Sequence, residues 1–290
     1  MSITPSRVTV AELQGALRAA WAGEFGAYSR PGPTRTRPLQ RQNGRALPGN
    51  VVMVVGCHGG AGASTVALAV AQAVGESGRS VRLLDCASAE RSGLLTAVDA
   101  ELGVDASGWR LGRRARLPID RVADVLDSVA DVPAPADKSS GLFEVTVVDS
   151  GWAANAVLSA DSWLAQVSSC AALVLVARAS VPALRQLEHA LAISAPGPLV
   201  AVRGRRRWDR SVHATAGPLL LAAEAAGRVV TVLTDRRLAA TGITCAPLPR
   251  AVQEAGRQIV ARVLPADPQT PAAQEPVPLQ PTPHRKGLWK

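Results

Sequence analysis

The run Cys57-His58-Gly59-Gly60-Ala61-Gly62-Ala63-Ser64-Thr65 has the residue types of an anion site. A loop that cradles phosphate needs several backbone N–H groups turned inward. Glycine permits both the turn and the close approach, and a helix starting at the end of the loop adds its N-terminal dipole. Gly59, Gly60 and Gly62 occupy such a turn, and Ser64 stands where a hydroxyl would hold Mg²⁺. The alternative is a tight strand-to-helix turn that binds nothing. Asp85 and Asp149 each end an apolar run, which puts both carboxylates at the carboxyl edge of a parallel sheet, where open α/β sheets bind ligands. Acids in such places also simply end strands and cap helices.

The elements that must position these residues are legible as alternating apolar runs and amphipathic stretches. Val51 to Val55, Val81 to Leu84, Phe143 to Val148, Leu173 to Ala177, Pro198 to Val202 and Arg228 to Leu233 read as buried strands. Helices are expected over Val66 to Gly75, from about Ile119 to Ala130, from near Pro182, over Gly217 to Ala226 and over Pro249 to Val263, with a surface loop from Pro133 to Gly141. Strands alternating with helices predict an α/β fold with a mainly parallel sheet flanked by helices. Aromatics are only 3% of the 290 residues, so the core must be built from Ala, Val and Leu, as such sheets and helices are.

On these residues the loop resembles the deviant Walker A loop of the ParA/MinD ATPases, which carries one lysine before the paired glycines and another before the hydroxyl residues. His58 and Ala63 stand in those two positions. The variant looks most like the CpaE/TadZ branch, whose members help place pilus or secretion machinery. The resemblance runs over roughly Val51 to Val263 and implies a P-loop fold with His58 to Thr65 at the nucleotide. It also implies Mg²⁺ near Ser64, Asp149 and Asp85, with ATP or ADP as ligand. Ala87 replaces the acid that often follows the first aspartate, and Arg203-Gly204 stands where the family usually has an asparagine that reads adenine. A methyl in place of an ammonium at Ala63 removes a charge-assisted contact of about 1.5 to 3 kcal/mol and with it much of the stabilisation of phosphoryl transfer. Binding with little or no hydrolysis is therefore expected, with an arginine from elsewhere as one way to restore the charge. His58, if protonated, could donate to a phosphate; the plainer reading is an exposed loop residue.

Net charge is +9, and the positive charge is almost all arginine, concentrated in Arg30 to Arg45, Arg110 to Arg121 and Arg203 to Arg210. Arg205, Arg206 and Arg207, beside Trp208, are candidates for contact with nucleic acid or another polyanion; a solvated basic loop is the alternative. The four cysteines have no metal-ligand spacing. The expected organisation is an N-terminal amphipathic helix within 1–28, a basic linker 29–49, the P-loop domain 50–264 and a disordered tail 265–290. Val10, Leu13, Leu17, Trp21 and Phe25 form the helix's apolar stripe, behind a Thr9/Glu12 capping box. No signal peptide or membrane-spanning run is evident, so a cytoplasmic location is expected, peripheral at the membrane through a partner.

These features suggest an adaptor that binds nucleotide without turning it over and helps position or assemble a pilus, secretion or conjugation machine. Its expected partner is a protein of that membrane-associated machine, and a homodimer is a further possibility. A DNA-associated partition ATPase and a nucleotide-free structural module are the competing readings.

Overall fold

The structure, a computed structural model, describes residues 47, 49–135 and 143–264. The helix expected over Val10 to Tyr28, most of the linker after it, part of the loop from Pro133 to Gly141 and the tail beyond Leu264 lie outside the described residues.

Nine strands form one sheet in the order β3-β4-β5-β2-β6-β1-β7-β8-β9. They are β1 (Asn50–Gly56), β2 (Val81–Asp85), β3 (Ala100–Val104), β4 (Trp109–Arg114), β5 (Leu117–Val122), β6 (Val145–Ala153), β7 (Ala172–Arg178), β8 (Leu199–Gly204) and β9 (Val229–Leu233). All neighbours are parallel except at β4, which runs antiparallel to both β3 and β5. The α-helices among the described residues are α1 (Ala63–Glu76), α2 (Ala154–Leu158), α3 (Trp163–Cys170), α4 (Val181–Ile193), α5 (Arg210–His213), α6 (Pro218–Ala225), α7 (Arg236–Thr241) and α8 (Arg250–Val263). None among the described residues is long and apolar enough to cross a membrane.

Strand β1, flanked by β6 and β7, is apolar on both faces because both are covered. Val52 and Val54 pack into the cluster that contains α1 and α8, whereas Met53 and Val55 pack into the cluster with α2, α3, α4 and α6. The alanines of α1 let it lie close to both the sheet and α8. The two helices approach tightly at Gly256, where an added Cβ would come within 2.4 Å of the Ala69 carbonyl oxygen.

The stretch expected to be a helix from Ile119 to Ala130 is instead strand β5 followed by a turn and a short 3₁₀ segment at Val129–Asp131. The apolar spacing of Ile119, Val122, Leu126 and Val129 mimics a helical face. Residues 117–122 find backbone partners on both sides, β2 and β4, and the ladder prevails over the local pattern. The added β3–β4–β5 meander extends the sheet beyond β2 and carries Arg121 to the end of β5.

Introducing Gly256→Val should lower stability by about 1–3 kcal/mol, because the α1–α8 contact has no room for a side chain. The measurement is the midpoint of thermal unfolding; an unchanged midpoint would show that the helices separate without cost.

Candidate functional site

The loop begins where β1 ends, with Cys57 N donating to Val176 O at 2.8 Å, and it turns through Ala61 N to His58 O at 3.2 Å. Gly60 and Gly62 have φ of +71° and +101°, a region other residues enter only with strain. A Cβ on Gly59 or Gly60 would meet nothing within 4 Å, so the loop is open there. Gly62 caps α1 without a side-chain acceptor, and the first turn of α1 contains no acid. The helix therefore presents N–H groups that no side chain of its own first turn satisfies. Ala61 is buried, so its contribution to a ligand would be through backbone; Ala63, Ser64 and Thr65 are half-buried at the helix start.

His58 is held by both ring nitrogens. Arg178 N donates to Nε2 at 3.2 Å, and Nδ1 lies 2.8 Å from Gly59 O. An amide can only donate and a carbonyl only accept, so this geometry requires the neutral ring with its proton on Nδ1. A protonated His58 reaching for phosphate would first have to leave Arg178 N. Beside His58 lies a cavity of about 480 Å³ whose lining includes Asn155, Arg185 and His189.

The acids meet on the other side. Asp85 and Asp149 are partners in register on β2 and β6, and both are fully buried. Asp85 accepts from Ala87 N at 3.1 Å and from the Ser92 hydroxyl. Asp149 accepts from Gly151 N at 3.3 Å, with the Ser64 hydroxyl close by, while its Oδ2 is buried without a hydrogen-bond partner among the described residues. Burial raises both carboxyls. Asp149, raised further by Asp85, is pushed up to about 7 against the opposing Ser64 and Gly151 hydrogen bonds. Ser92, Ala87 N and the nearby Arg121 work against the rise at Asp85.

The segment after β2 is drawn over these groups. Gly93 lies so close to Ser64 that a Cβ would come within 2.6 Å of its Oγ, and Arg121 Nη1 donates to Leu95 O at 3.0 Å, pinning the segment. Gly151, at φ +67°, packs on the backbone of Ala87, where a Cβ would sit 2.3 Å from Cα.

Among the described residues no group of three or more His, Cys, Asp or Glu is placed to hold a metal. The orphaned Asp149 Oδ2 beside the Ser64 hydroxyl does fit Mg²⁺ held jointly with phosphate oxygens. Arg205, Arg206 and Arg207 are exposed in the turn after β8, while Trp208 is half-buried against the core, its ring 6.1 Å from that of His213. Two arginines beside the loop were not singled out as site residues from sequence: Arg178 ends β7 and Arg203 is the last residue but one of β8, the two are in register, and Arg203 Nη2 donates to Gly60 O at 2.9 Å. Their signal was available, since each closes an apolar strand at the edge that also carries Asp85 and Asp149.

The raised Asp149 carboxyl has a consequence for stability. Between about pH 4, where it ionises in the unfolded chain, and about pH 7, the native state binds the extra proton. Stability therefore falls as pH rises through that window. Asp149→Asn should raise the unfolding midpoint at pH 8, with the gain vanishing toward pH 4. A pH-independent difference, measured by thermal melts from pH 4 to 8 without Mg²⁺, would contradict the account.

No protein-family model and no curated protein matches the sequence. Similarity appears in three dimensions. A chain of the MinC:MinD cell division protein complex from Aquifex aeolicus superposes with a TM-score of 0.51 at 14% identity, over 75% of this chain and 98% of that one. The apo McdA structure from Cyanthece gives 0.50 at 13% identity, over 73% and 99%. The chain has the ParA/MinD-type P-loop fold.

Proposed function

We propose that the loop from His58 to Thr65 binds ATP or ADP by its phosphates, with Mg²⁺ held through Ser64 and Asp149 and with Asp85 behind them. Hydrolysis stays near background. The observation that carries the reading is the buried Asp149 Oδ2, unpartnered among the described residues, beside the Ser64 hydroxyl at the mouth of an uncapped helix. Bound Mg²⁺ would neutralise phosphate charge, and the first-turn amides of α1 would hold the phosphate oxygens. Ala63 offers no ammonium at this point, so the loop can hold a nucleotide without the charge that drives its transfer.

A site that binds without turning over suits an adaptor better than a motor. We place the protein with a membrane-associated pilus, secretion or conjugation machine, where a nucleotide-bound state would be long-lived and recognised by a protein partner or a second copy. The open mouth at Gly59 and Gly60 argues against a module that takes no nucleotide.

Calorimetric titration with Mg²⁺–ATP and Mg²⁺–ADP should show weak binding that Asp149→Ala reduces, and a phosphate-release assay should read background. Turnover at the rate of a working ATPase, abolished by Asp149→Ala, would reject the disabled site. Among the described residues no carboxylate pairs with the exposed Arg205, Arg206 or Arg207, which favours nonspecific DNA contact as a second reading. Affinity for duplex DNA should then fall steeply with salt, and replacing all three with Ala should flatten that slope. No binding at low salt would return the run to a solvated turn.

A further inference from the structure

The carboxyl ends of β7 and β8 bring two guanidinium groups to the phosphate loop. Arg178 and Arg203 are register partners, and neither forms an ion pair among the described residues. Arg203 is folded back along the loop. Its Nη2 holds the Gly60 carbonyl, and its Cδ lies 3.1 Å from where a Cβ of Gly62 would sit. Gly62 is what allows the arm to lie there. The Arg203 Nε is buried and has no hydrogen-bond partner among the described residues. Burial, and then the like charge of Arg178, weaken the hold of Arg203 on its proton.

Two adjacent cations without a counter-charge, one of them with a buried N–H left unsatisfied, gain by receiving an anion. The partner Arg203 does have, a neutral carbonyl oxygen, is a weaker acceptor than a phosphate oxygen. An arginine arm is also long enough to exchange one for the other by rotation about its own bonds.

We propose that Arg203, assisted by Arg178, is the cation that binds the phosphate chain of the ligand in place of the ammonium absent at Ala63, and that the Gly60 carbonyl holds the guanidinium when no anion is bound. The proposal rests on the nucleotide reading of the loop and specifies how the ligand is recognised. Recognition is of the phosphate chain, so inorganic tripolyphosphate is a ligand in its own right. The charge is delivered from the end of β8, across the loop, and is set to retain phosphate groups.

The test is calorimetry on the full chain with Mg²⁺–ATP and, separately, tripolyphosphate, for the parent, Arg203→Ala, Arg203→Lys and Arg178→Ala. Arg203→Ala should weaken both ligands by about tenfold or more, the loss expected for one charge-assisted contact. Arg203→Lys should recover part of that loss, Arg178→Ala should cost less, and the thermal midpoint of Arg203→Ala without ligand should stay near the parent's. Parent-like or tighter binding by Arg203→Ala would overturn the inference while leaving the nucleotide reading intact; tighter binding would mark the arm as an obstruction. Equal losses in the Ala and Lys variants, accompanied by a lowered midpoint, would reduce Arg203 to a structural support and also overturn it. Failure of the parent to bind either ligand would remove the nucleotide reading, and the inference with it.

Discussion

Two carboxylates buried side by side at the ends of β2 and β6 govern the arrangement of the site. Asp85 and Asp149 are register partners with no exposure to solvent, a placement that disfavours ionisation of either. What surrounds them answers that cost. Ala87 N and the Ser92 hydroxyl serve Asp85, and Gly151 N serves Asp149, with the Ser64 hydroxyl close by. The Gly151 backbone lies directly on Ala87, and Gly93 directly on Ser64, because the segments that carry these donors must close over the acids. Arg121, on a strand added beyond β2, fixes that closure through Leu95 O. One carboxylate oxygen is left over among the described residues, Asp149 Oδ2, and it lies beside the hydroxyl of the phosphate loop.

The site is polarised. Acids collect at the β2 and β6 side, while Arg178 and Arg203 collect at the β7 and β8 side, and the uncapped start of α1 lies between. A metal with a phosphate chain has the complementary polarity, with a cation to face the acids and anionic oxygens to face the arginines. This matching of charge, more than any single contact, supports the nucleotide reading. It also shows how a loop without lysine can retain a cationic side: the charge is carried at strand ends that the sheet places next to the loop. His58 contributes differently. Its neutral ring joins the end of β7 to the first glycine of the loop and acts as a structural tie.

The fold likeness to the MinC:MinD complex chain and to McdA holds at 14% and 13% identity. At that identity the likeness is one of backbone alone. The function therefore has to be argued from the groups this chain presents.

The phosphate loop, the acids at two strand ends and the six strands from β1 to β9 that read as apolar runs were legible in the residues themselves. Glycine spacing and two-sided apolar strands are local consequences of backbone geometry and burial. The meander β3–β4–β5 was not legible, because residues 119–129 carry a helix-like apolar spacing that only pairing with β2 and β4 overrides. Nor could the sequence place Gly93 on Ser64, or tie His58 to an amide 120 residues away. The clearest case is Arg203. As a residue it opens a basic run, and by composition it belongs with Arg205, Arg206 and Arg207, which the structure leaves exposed. Parallel register decided otherwise, bringing the end of β8 next to that of β7 and level with the loop, so that this one arginine lies against Gly60 and Gly62. Residue type and local spacing determined what chemistry was available; which charges would share a site was decided by strand order, a property of the whole sheet that no stretch of sequence contains.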